Sequence, residues 1–187
     1  MTALNEILTS RHSIRRFTDR APTREELEQL FDAAVLAPNH RLTNPWRFYV
    51  LGPEGRAAYG LALGNRKAKK ATDEAQAEEM RKTTSDQHRA WPCMVLVAMT
   101  QNENLEIREE DYAATMMATQ NLCLKAVELG LGTHIRSGAI MGDPAARAAG
   151  GVAENERIVA VLTIGTPAEV PEAKPRTPAR ELTHWIP

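Results

Sequence analysis

Apolar residues in this chain recur at helical spacing in some segments and at strand spacing in others, which predicts both kinds of element. Leu4, Ile7 and Leu8 predict a short amphipathic helix over residues 3–9. A second helix is predicted to follow Thr23, because Glu26 stands three residues later as in a capping box, and to end at Pro38. Its apolar face consists of Leu27, Leu30, Phe31, Ala34 and Val35.

Three segments have the pattern of strands. Residues 46–51 alternate between apolar and polar side chains, which is typical of a strand with one buried face. Residues 92–100 and 158–165 are continuously apolar, which indicates strands covered on both faces. Helices and strands therefore share one fold of mixed class.

Residues 109–129 predict a helix that is apolar almost all round. Such a helix is either central in the fold or covered by a partner chain. Gly130 and Gly132 are expected to close it as C-cap glycines, and Asp143 with Pro144 is expected to begin another helix.

Residues 65–91 are rich in charged and polar side chains and have few apolar anchors. Glu78 and Lys82 form a favourable i, i+4 pair, so the segment predicts a solvated helix with mobile ends. The alternative is a lid over a substrate, which the charge pattern alone does not favour.

The C-terminal segment, residues 166–187, is rich in proline, which precludes a helix and favours an extended arm. Leu182 and Trp185 are interpreted as anchors that hold this arm against a surface. The alternative is a disordered basic tail.

The chain has 187 residues, enough for a single domain over residues 1–187 with its own core. With 23 basic and 24 acidic residues the net charge is −1, so we expect no nucleic-acid or membrane partner. Cys93 and Cys123 lie in apolar runs without metal-ligand spacing, and are predicted to be buried thiols of a cytoplasmic protein. There is no metal-ligand cluster and no glycine-rich dinucleotide fingerprint.

Candidate chemistry begins in residues 10–17, a run of cationic and hydroxyl side chains. Arg11 can bind a phosphate through two donors, Ser13 can donate a hydroxyl hydrogen bond, and His12 can donate from its ring. These donors suit a ligand with a phosphate and a polyol. The alternative is a solvated basic surface at the end of the first helix.

Arg11, Ser13, Arg15 and Phe17 form an Arg-x-Ser-x-Arg-x-Phe pattern that resembles the opening signature of the FMN-dependent nitroreductase family. A second similarity is the loop of residues 37–46, where the family has Pro-Ser-Ser-x-Asn-x-Gln-Pro-Trp and this chain keeps both prolines and the tryptophan. Leu42 stands where the family often has a flavin-binding asparagine, so His40 becomes the flavin contact that the resemblance implies in this loop, or else a residue that caps the turn.

A third similarity is residues 133–138, predicted as a tight loop, in which Ile135, Arg136 and Ser137 resemble the Trp-Arg-Ser of short nitroreductases. Arg136 is otherwise a surface arginine after a helix cap. In the arm, Lys174 and Arg176 resemble the Lys-x-Arg that completes the phosphate site in many family members.

The resemblance implies an α+β fold with a central mixed, largely antiparallel sheet flanked by helices, and a homodimer with two FMN sites at its interface. It also implies NAD(P)H as co-substrate and a small-molecule electron acceptor such as a nitroaromatic or a quinone. The implied cofactor-binding residues are Arg11, His12, Ser13, His40, Ile135, Arg136, Ser137, Lys174 and Arg176. No catalytic residue is assigned, because a flavin needs no protein nucleophile.

Two other functions remain open from the sequence. A flavin-binding protein without turnover, for storage or sensing, would suit the departures at Leu42 and Ile135. The other is an interaction domain without a cofactor. The colour of the purified protein distinguishes it from the two flavin-binding functions, because bound flavin is yellow.

Overall fold

The computed structural model describes residues 4–187. Its six α-helices are α1 (Leu4–Ser10), α2 (Arg24–Ala34), α3 (Pro53–Ala68), α4 (Glu74–Arg89), α5 (Leu105–Glu128) and α6 (Pro144–Gly150). Its four strands are β1 (Trp46–Leu51), β2 (Met94–Thr100), β3 (Gly132–Arg136) and β4 (Glu156–Gly165). Short 3-10 turns occupy His40–Leu42, Ala139–Gly142 and Ala179–Glu181.

The four strands form one sheet in the order β1-β2-β4-β3, and every neighbouring pair is antiparallel. Parallel pairing occurs at an isolated bridge between Ser13 and Thr133, beside β3. The predicted α+β class with a largely antiparallel sheet is therefore confirmed. The three strands predicted from apolar patterns correspond to β1, β2 and β4.

Helices cover both faces of the sheet. One face packs against α2 and α5, where Leu30, Leu122 and Cys123 meet Val97 and Leu162. The other face packs against α3 and α6, with α4 lying on α3. Cys93 and Cys123 are both buried free thiols, as predicted, and burial raises the pKa of Cys93 to about 11.

The start of α2 confirms the predicted capping box. The Thr23 hydroxyl accepts a hydrogen bond from the Glu26 amide at 3.1 Å, and the Glu26 carboxylate accepts one from the Thr23 amide at 2.8 Å. The predicted helix at residues 3–9 is present as α1 over its described part, while Ala3 lies outside the described residues. The helix predicted to begin at residue 109 begins at Leu105, because the Asn104 side chain caps it.

The prediction of one helix over residues 65–91 was wrong. The segment holds the end of α3 and all of α4, separated by a break in which the Asp73 carboxylate accepts a hydrogen bond from the Gln76 amide at 2.8 Å and caps α4. One face of α4 is packed rather than solvated, since Ala77, Thr84 and His88 are buried.

Residues 133–138 also differ from the prediction. Gly130 has the left-handed φ of 71° expected of a C-cap glycine, but Gly132 is the first residue of β3. An added Cβ at Gly132 would lie 2.5 Å from Ile14, so this position needs a glycine for close approach. Residues 133–136, predicted as a loop, form most of β3.

The segment after α1 runs between β3 and the end of β4. The Ile14 amide donates to the Thr133 carbonyl at 2.9 Å, and the Thr18 amide donates to the Thr166 carbonyl at 2.9 Å. The Ala168 amide donates in turn to the Arg16 carbonyl at 3.0 Å. These hydrogen bonds place the segment after α1 beside β3 and beside the start of the C-terminal arm.

Candidate functional site

A cavity of about 750 Å³ lies where α1, the segment after it, β3 and the C-terminal arm meet. Its lining residues are Leu8, Thr9, Arg11, His12, Ser13, Arg15, Arg16, His134, Glu169, Pro171, Glu172, Ala173, Lys174 and Arg176. Five of the predicted cofactor-binding residues, from opposite ends of the chain, therefore share one cavity. They are Arg11, His12, Ser13, Lys174 and Arg176.

The cavity is strongly basic. Five of its lining residues are arginine or lysine and two are glutamate. Arg16 is paired with Glu169 at 3.2 Å, whereas none of the other four cations has a carboxylate within 4.0 Å in the described part of the chain. Cations grouped without counterions repel one another, so an anionic ligand stabilises the arrangement.

Local backbone structure places the first group of these side chains. The Arg11 amide still donates to the Ile7 carbonyl at 3.1 Å, so the end of α1 holds Arg11. Two residues later Ser13 is bridged to Thr133 of β3, which fixes the segment against the sheet. Arg15 and Arg16 follow on the same extended stretch and line the cavity as well.

His134 lines the cavity from β3. Its Nδ1 atom is buried and has no hydrogen-bond partner within residues 4–187. Burial, with the charges of Arg136 and Arg15, lowers the pKa of His134 to about 4. The imidazole is therefore neutral at physiological pH.

The structure places Ile135, Arg136 and Ser137 next to this cavity in the chain but not in its lining. Ile135 packs against the core on the α2 and α5 side of the sheet. The Arg136 guanidinium lies 4.2 Å from the centroid of the Trp91 ring and donates a hydrogen bond to the Thr163 hydroxyl. Ser137 is exposed beside Gly138, whose φ is 123°.

Arg136 is a half-buried cation on the α3 and α4 side of the sheet. Burial lowers its pKa, and the charge of Arg15 acts in the same direction. Within residues 4–187 no carboxylate lies within 4.0 Å of it, so the Trp91 ring face and the Thr163 hydroxyl provide the interactions found for the guanidinium.

His40 does not line the cavity in this chain. Its Nδ1 lies 2.9 Å from Oε1 of Glu110 on α5, and this hydrogen bond lowers the pKa of Glu110. The loop around it is strained, because Arg41, Leu42 and Asn44 all have left-handed φ values of 66°, 51° and 47°. A loop held in such a conformation by its surroundings is a candidate for a functional role.

Among the arginine, lysine and histidine side chains that line the cavity, Arg15, Arg16 and His134 were not assigned to the site from the sequence. Arg15 and Arg16 stood in the basic segment, so extending the anion site along that segment would have included them. For His134 the signal was weaker, since it depended on recognising β3 as a strand.

Within residues 4–187 no helix has the length and apolarity that crossing a membrane requires. The same residues contain no group of three or more His, Cys, Asp or Glu side chains arranged to hold a metal ion.

Comparison with known proteins agrees with the fold. The sequence model of the Nitroreductase family matches residues 8–166. YfhC of Bacillus subtilis (strain 168), named for a proposed NAD(P)H nitroreductase activity, is 36% identical over 183 residues, which cover 96% of this chain and 92% of YfhC.

Solved structures give the same result. A nitroreductase-like family protein from Bacillus cereus superposes with a TM-score of 0.86 at 34% identity, covering 100% of this chain and 97% of that one. A nitroreductase with bound FMN from Bacteroides fragilis NCTC 9343 superposes with a TM-score of 0.75 at 19% identity, covering 100% of both chains, and is similar in fold. The chain belongs to the nitroreductase family.

Proposed function

We propose that this protein is an FMN-dependent NAD(P)H oxidoreductase that reduces nitroaromatic, quinone or other electrophilic acceptors. The observation that carries the proposal is the basic cavity in which Arg11 and Ser13 meet Lys174 and Arg176 of the arm. The name of YfhC supports NAD(P)H as reductant, and the FMN in the Bacteroides fragilis structure supports the cofactor.

The residues present fit FMN. Arg11, Lys174 and Arg176 would hold the phosphate through charge-assisted hydrogen bonds, while His12 and Ser13 offer donors to the ribityl hydroxyls. A volume of about 750 Å³ lies in the range of cofactor pockets. The neutral imidazole of His134 adds a further polar side chain to the cavity wall.

When bound, FMN supplies the hydride and electron chemistry. The chain supplies binding and orientation. Unpaired cations in the cavity fix the charged end of the cofactor, and the hydroxyl and imidazole donors fix its position along the groove. We assign no catalytic residue, because the cavity contains no nucleophile paired with a general base.

We further propose that the working unit is a homodimer with a single domain, residues 1–187, per chain. In the single chain Leu36 and Leu42 are 80% and 79% exposed, and Trp185 in the arm is 91% exposed. Tyr112 and Met117 are partly exposed on α5, the helix predicted to be either central in the fold or covered by a partner chain. A second subunit would bury these side chains and would bring its His40 loop to the cavity.

The exposure of Leu182 and Trp185 tests the prediction that these two side chains hold the C-terminal arm against a surface. Leu182 and Trp185 do not anchor the arm on their own chain, where they are 68% and 91% exposed. Under the dimer proposal they pack against the second subunit. We place the protein in the cytoplasm, where NAD(P)H is available.

Electron transfer is proposed to follow a ping-pong scheme, since the cavity offers one cofactor site and reductant and acceptor would use the same flavin face. Double-reciprocal plots should then be parallel, and each substrate should inhibit competitively at high concentration. Intersecting lines would contradict this scheme.

The proposed function is tested on the purified protein. We expect a yellow protein whose flavin absorbance is bleached rapidly by NADPH or NADH and returns when a nitroaromatic or quinone acceptor is added. A colourless protein that takes up no FMN would refute the proposal. A yellow protein that neither reductant bleaches would instead favour flavin storage or sensing.

A further inference from the structure

The His40 loop, residues 39–44, holds a backbone conformation that its residues do not favour on their own. Arg41, Leu42 and Asn44 have φ values of 66°, 51° and 47°, although none of them is glycine. The left-handed region is sterically unfavourable for such residues, so the surrounding structure must hold the loop in place. Strain of this kind is concentrated where a protein contacts a ligand or changes its state.

Contacts of Asp111 and Asn39 hold the backbone of this loop. The Thr43 hydroxyl donates a hydrogen bond to the carboxylate of Asp111, a residue of α5 that is 3% exposed. The Asn39 side-chain oxygen accepts a hydrogen bond from the Asn44 amide at 2.7 Å. The Asn39 side-chain nitrogen donates to the His40 carbonyl at 3.2 Å. These contacts fix the backbone of the loop but leave the His40 ring to be held separately.

Glu110, the residue before Asp111 on α5, holds the ring. Its Oε1 lies 2.9 Å from His40 Nδ1, and its Oε2 accepts a hydrogen bond from Arg41 Nε at 3.3 Å. Because a carboxylate only accepts hydrogen bonds, His40 Nδ1 carries a proton. In the described part of the chain His40 Nε2 has no hydrogen bond, and the side chain is 68% exposed. Glu110 thus fixes the orientation of a ring whose second nitrogen is available to a ligand.

The position of the His40 loop favours a contact with a second subunit. His40 does not line the cavity of its own chain. The same loop displays Leu42, which is 79% exposed and which the proposed dimer buries against the second subunit. In that dimer the loop approaches the cavity of the other chain. There Arg11, Lys174 and Arg176 would hold the phosphate, which leaves the uncharged part of the flavin for an imidazole nitrogen.

We propose that Glu110 is a positioning residue for flavin binding. It acts through His40, orienting the ring so that Nε2 contacts the flavin bound in the second subunit. A side chain that is already oriented loses less conformational entropy when it makes such a contact. This inference rests on the proposed FMN-dependent homodimer. It adds to that proposal a residue of α5 that neither the sequence motifs nor the cavity lining indicate.

The test titrates apoproteins with riboflavin, which has no phosphate, so that a change in protein charge has little effect. We expect His40→Ala to raise the dissociation constant about 3-fold to 10-fold, as for one neutral hydrogen bond, and Glu110→Ala to raise it by a similar factor. Glu110→Gln should stay within about 2-fold of wild type, because its amide oxygen still accepts from Nδ1. Glu109→Ala is the matched control, since Glu109 is an exposed carboxylate next to Glu110 on α5.

The double variant His40→Ala/Glu110→Ala shows whether Glu110 acts through His40. If it does, the double variant binds riboflavin as weakly as His40→Ala alone, since no ring remains to be oriented. A further loss in the double variant would overturn the proposal, because Glu110 would then act through Arg41 or the loop backbone. Wild-type affinity in Glu110→Ala would overturn it as well.

Nuclear magnetic resonance gives a readout that a purely structural role would not change. When the His40 ring is neutral, its ¹⁵N shifts should show a protonated Nδ1 in wild type and in Glu110→Gln, and a larger share of protonated Nε2 in Glu110→Ala. The Nε2 resonance of wild type should move when riboflavin binds. A wild-type Nε2 resonance that stays in place would overturn the proposal, even if Glu110→Ala does not fold.

Failure of the proposed function gives a different result. Wild type that binds neither FMN nor riboflavin, or that is a monomer in static light scattering, would overturn the proposed FMN-dependent homodimer itself. A flavin-binding wild-type dimer, with unchanged affinity in His40→Ala, would overturn only the inference about Glu110. A monomeric Glu110→Ala variant would place Glu110 in the subunit contact and would overturn its positioning role.

Discussion

Gly64 of α3 lies so close to Arg81 of α4 that an added Cβ would stand 2.8 Å from the Arg81 Cα atom. One turn earlier, a Cβ at Gly60 would lie 2.8 Å from the His88 Cβ. Glycines four residues apart therefore let the two helices approach along their length. α4, which makes up most of the charged segment of residues 65–91, is therefore packed closely against α3, an arrangement that the composition of the segment did not suggest.

We expect Gly64→Ala to destabilise the protein by about 1–3 kcal/mol, because the backbone of α4 must move to admit the methyl group. Alanine's better helix propensity offsets only about 1 kcal/mol of this loss. Gly142→Ala is the control, since nothing lies within 4 Å of a Cβ there. Urea unfolding measures both variants, and equal stability of Gly64→Ala and wild type would show that α3 and α4 can separate freely.

A second prediction concerns acid stability and His88. This residue is 5% exposed, its Nδ1 donates to the Thr84 carbonyl at 2.7 Å, and burial lowers its pKa to about 4. Between the unfolded pKa of 6.5 and the folded value near 4, the unfolded chain binds more protons, so stability decreases as the pH falls through this range. The loss from His88 reaches about 3 kcal/mol at the acid end.

Unfolding midpoints at pH 7.5 and pH 5 test this prediction. His88→Gln should show a smaller difference between the two pH values than wild type. Part of the difference should persist, because the pKa of His134 is lowered in the same direction. A wild-type midpoint that does not change with pH would contradict the prediction.

A third prediction concerns the phosphate. Arg11→Ala should raise the FMN dissociation constant about 10-fold to 100-fold, since a hydrogen bond to a charged group contributes roughly 1.5 to 3 kcal/mol. Riboflavin affinity should change much less, because riboflavin has no phosphate. Arg24→Ala is the control, as Arg24 is an exposed arginine paired with Glu28 on α2. Equal losses for both ligands would refute the assignment of Arg11 to the phosphate.

The arm supports a fourth prediction, tested with two truncated chains. Removing residues 166–187 takes away two of the five cavity cations, Lys174 and Arg176, together with the exposed apolar side chains of the arm, so we expect loss of the dimer and of FMN. Removing residues 178–187 spares Lys174 and Arg176 but deletes Leu182, Trp185 and Ile186. We expect this shorter deletion to weaken the dimer while keeping more of the FMN affinity.

Static light scattering and flavin absorbance measure the two effects separately. A yellow, stable monomer lacking residues 166–187 would show that the arm contributes to neither. A dimer unaffected by the shorter deletion would mean that other exposed residues, such as Leu36 and Leu42, form the contact.

Local signals in the sequence predicted part of the fold well. The Thr23 and Glu26 capping box is a short-range interaction, and both of its hydrogen bonds are present. The apolar runs of β2 and β4 are predictable because both faces of these strands are buried. The start of α4 could also have been found, since Asp73 caps it.

Features that depend on distant contacts were not predicted. β3 is a strand because Gly132 to Arg136 pair with the end of β4, and no local pattern in those five residues indicates this. The same pairing places His134 in the cavity wall. The Trp91 ring, which the Arg136 guanidinium contacts, is also remote in sequence.

Within residues 4–187, backbone hydrogen bonds hold only the first residues of the C-terminal arm to the rest of the protein. These first residues form backbone hydrogen bonds, the last of which is donated by the Ala168 amide to the Arg16 carbonyl. In the described part of the chain, no backbone hydrogen bond connects residues 169–177 to the rest of the protein. Lys174 and Arg176 thus reach the cavity on a stretch that could lift away without breaking a backbone hydrogen bond to the sheet. We expect the frequency of this lifting to set an upper limit on how fast bound FMN can dissociate. Cofactor retention would then be a kinetic property of the arm as well as a measure of affinity.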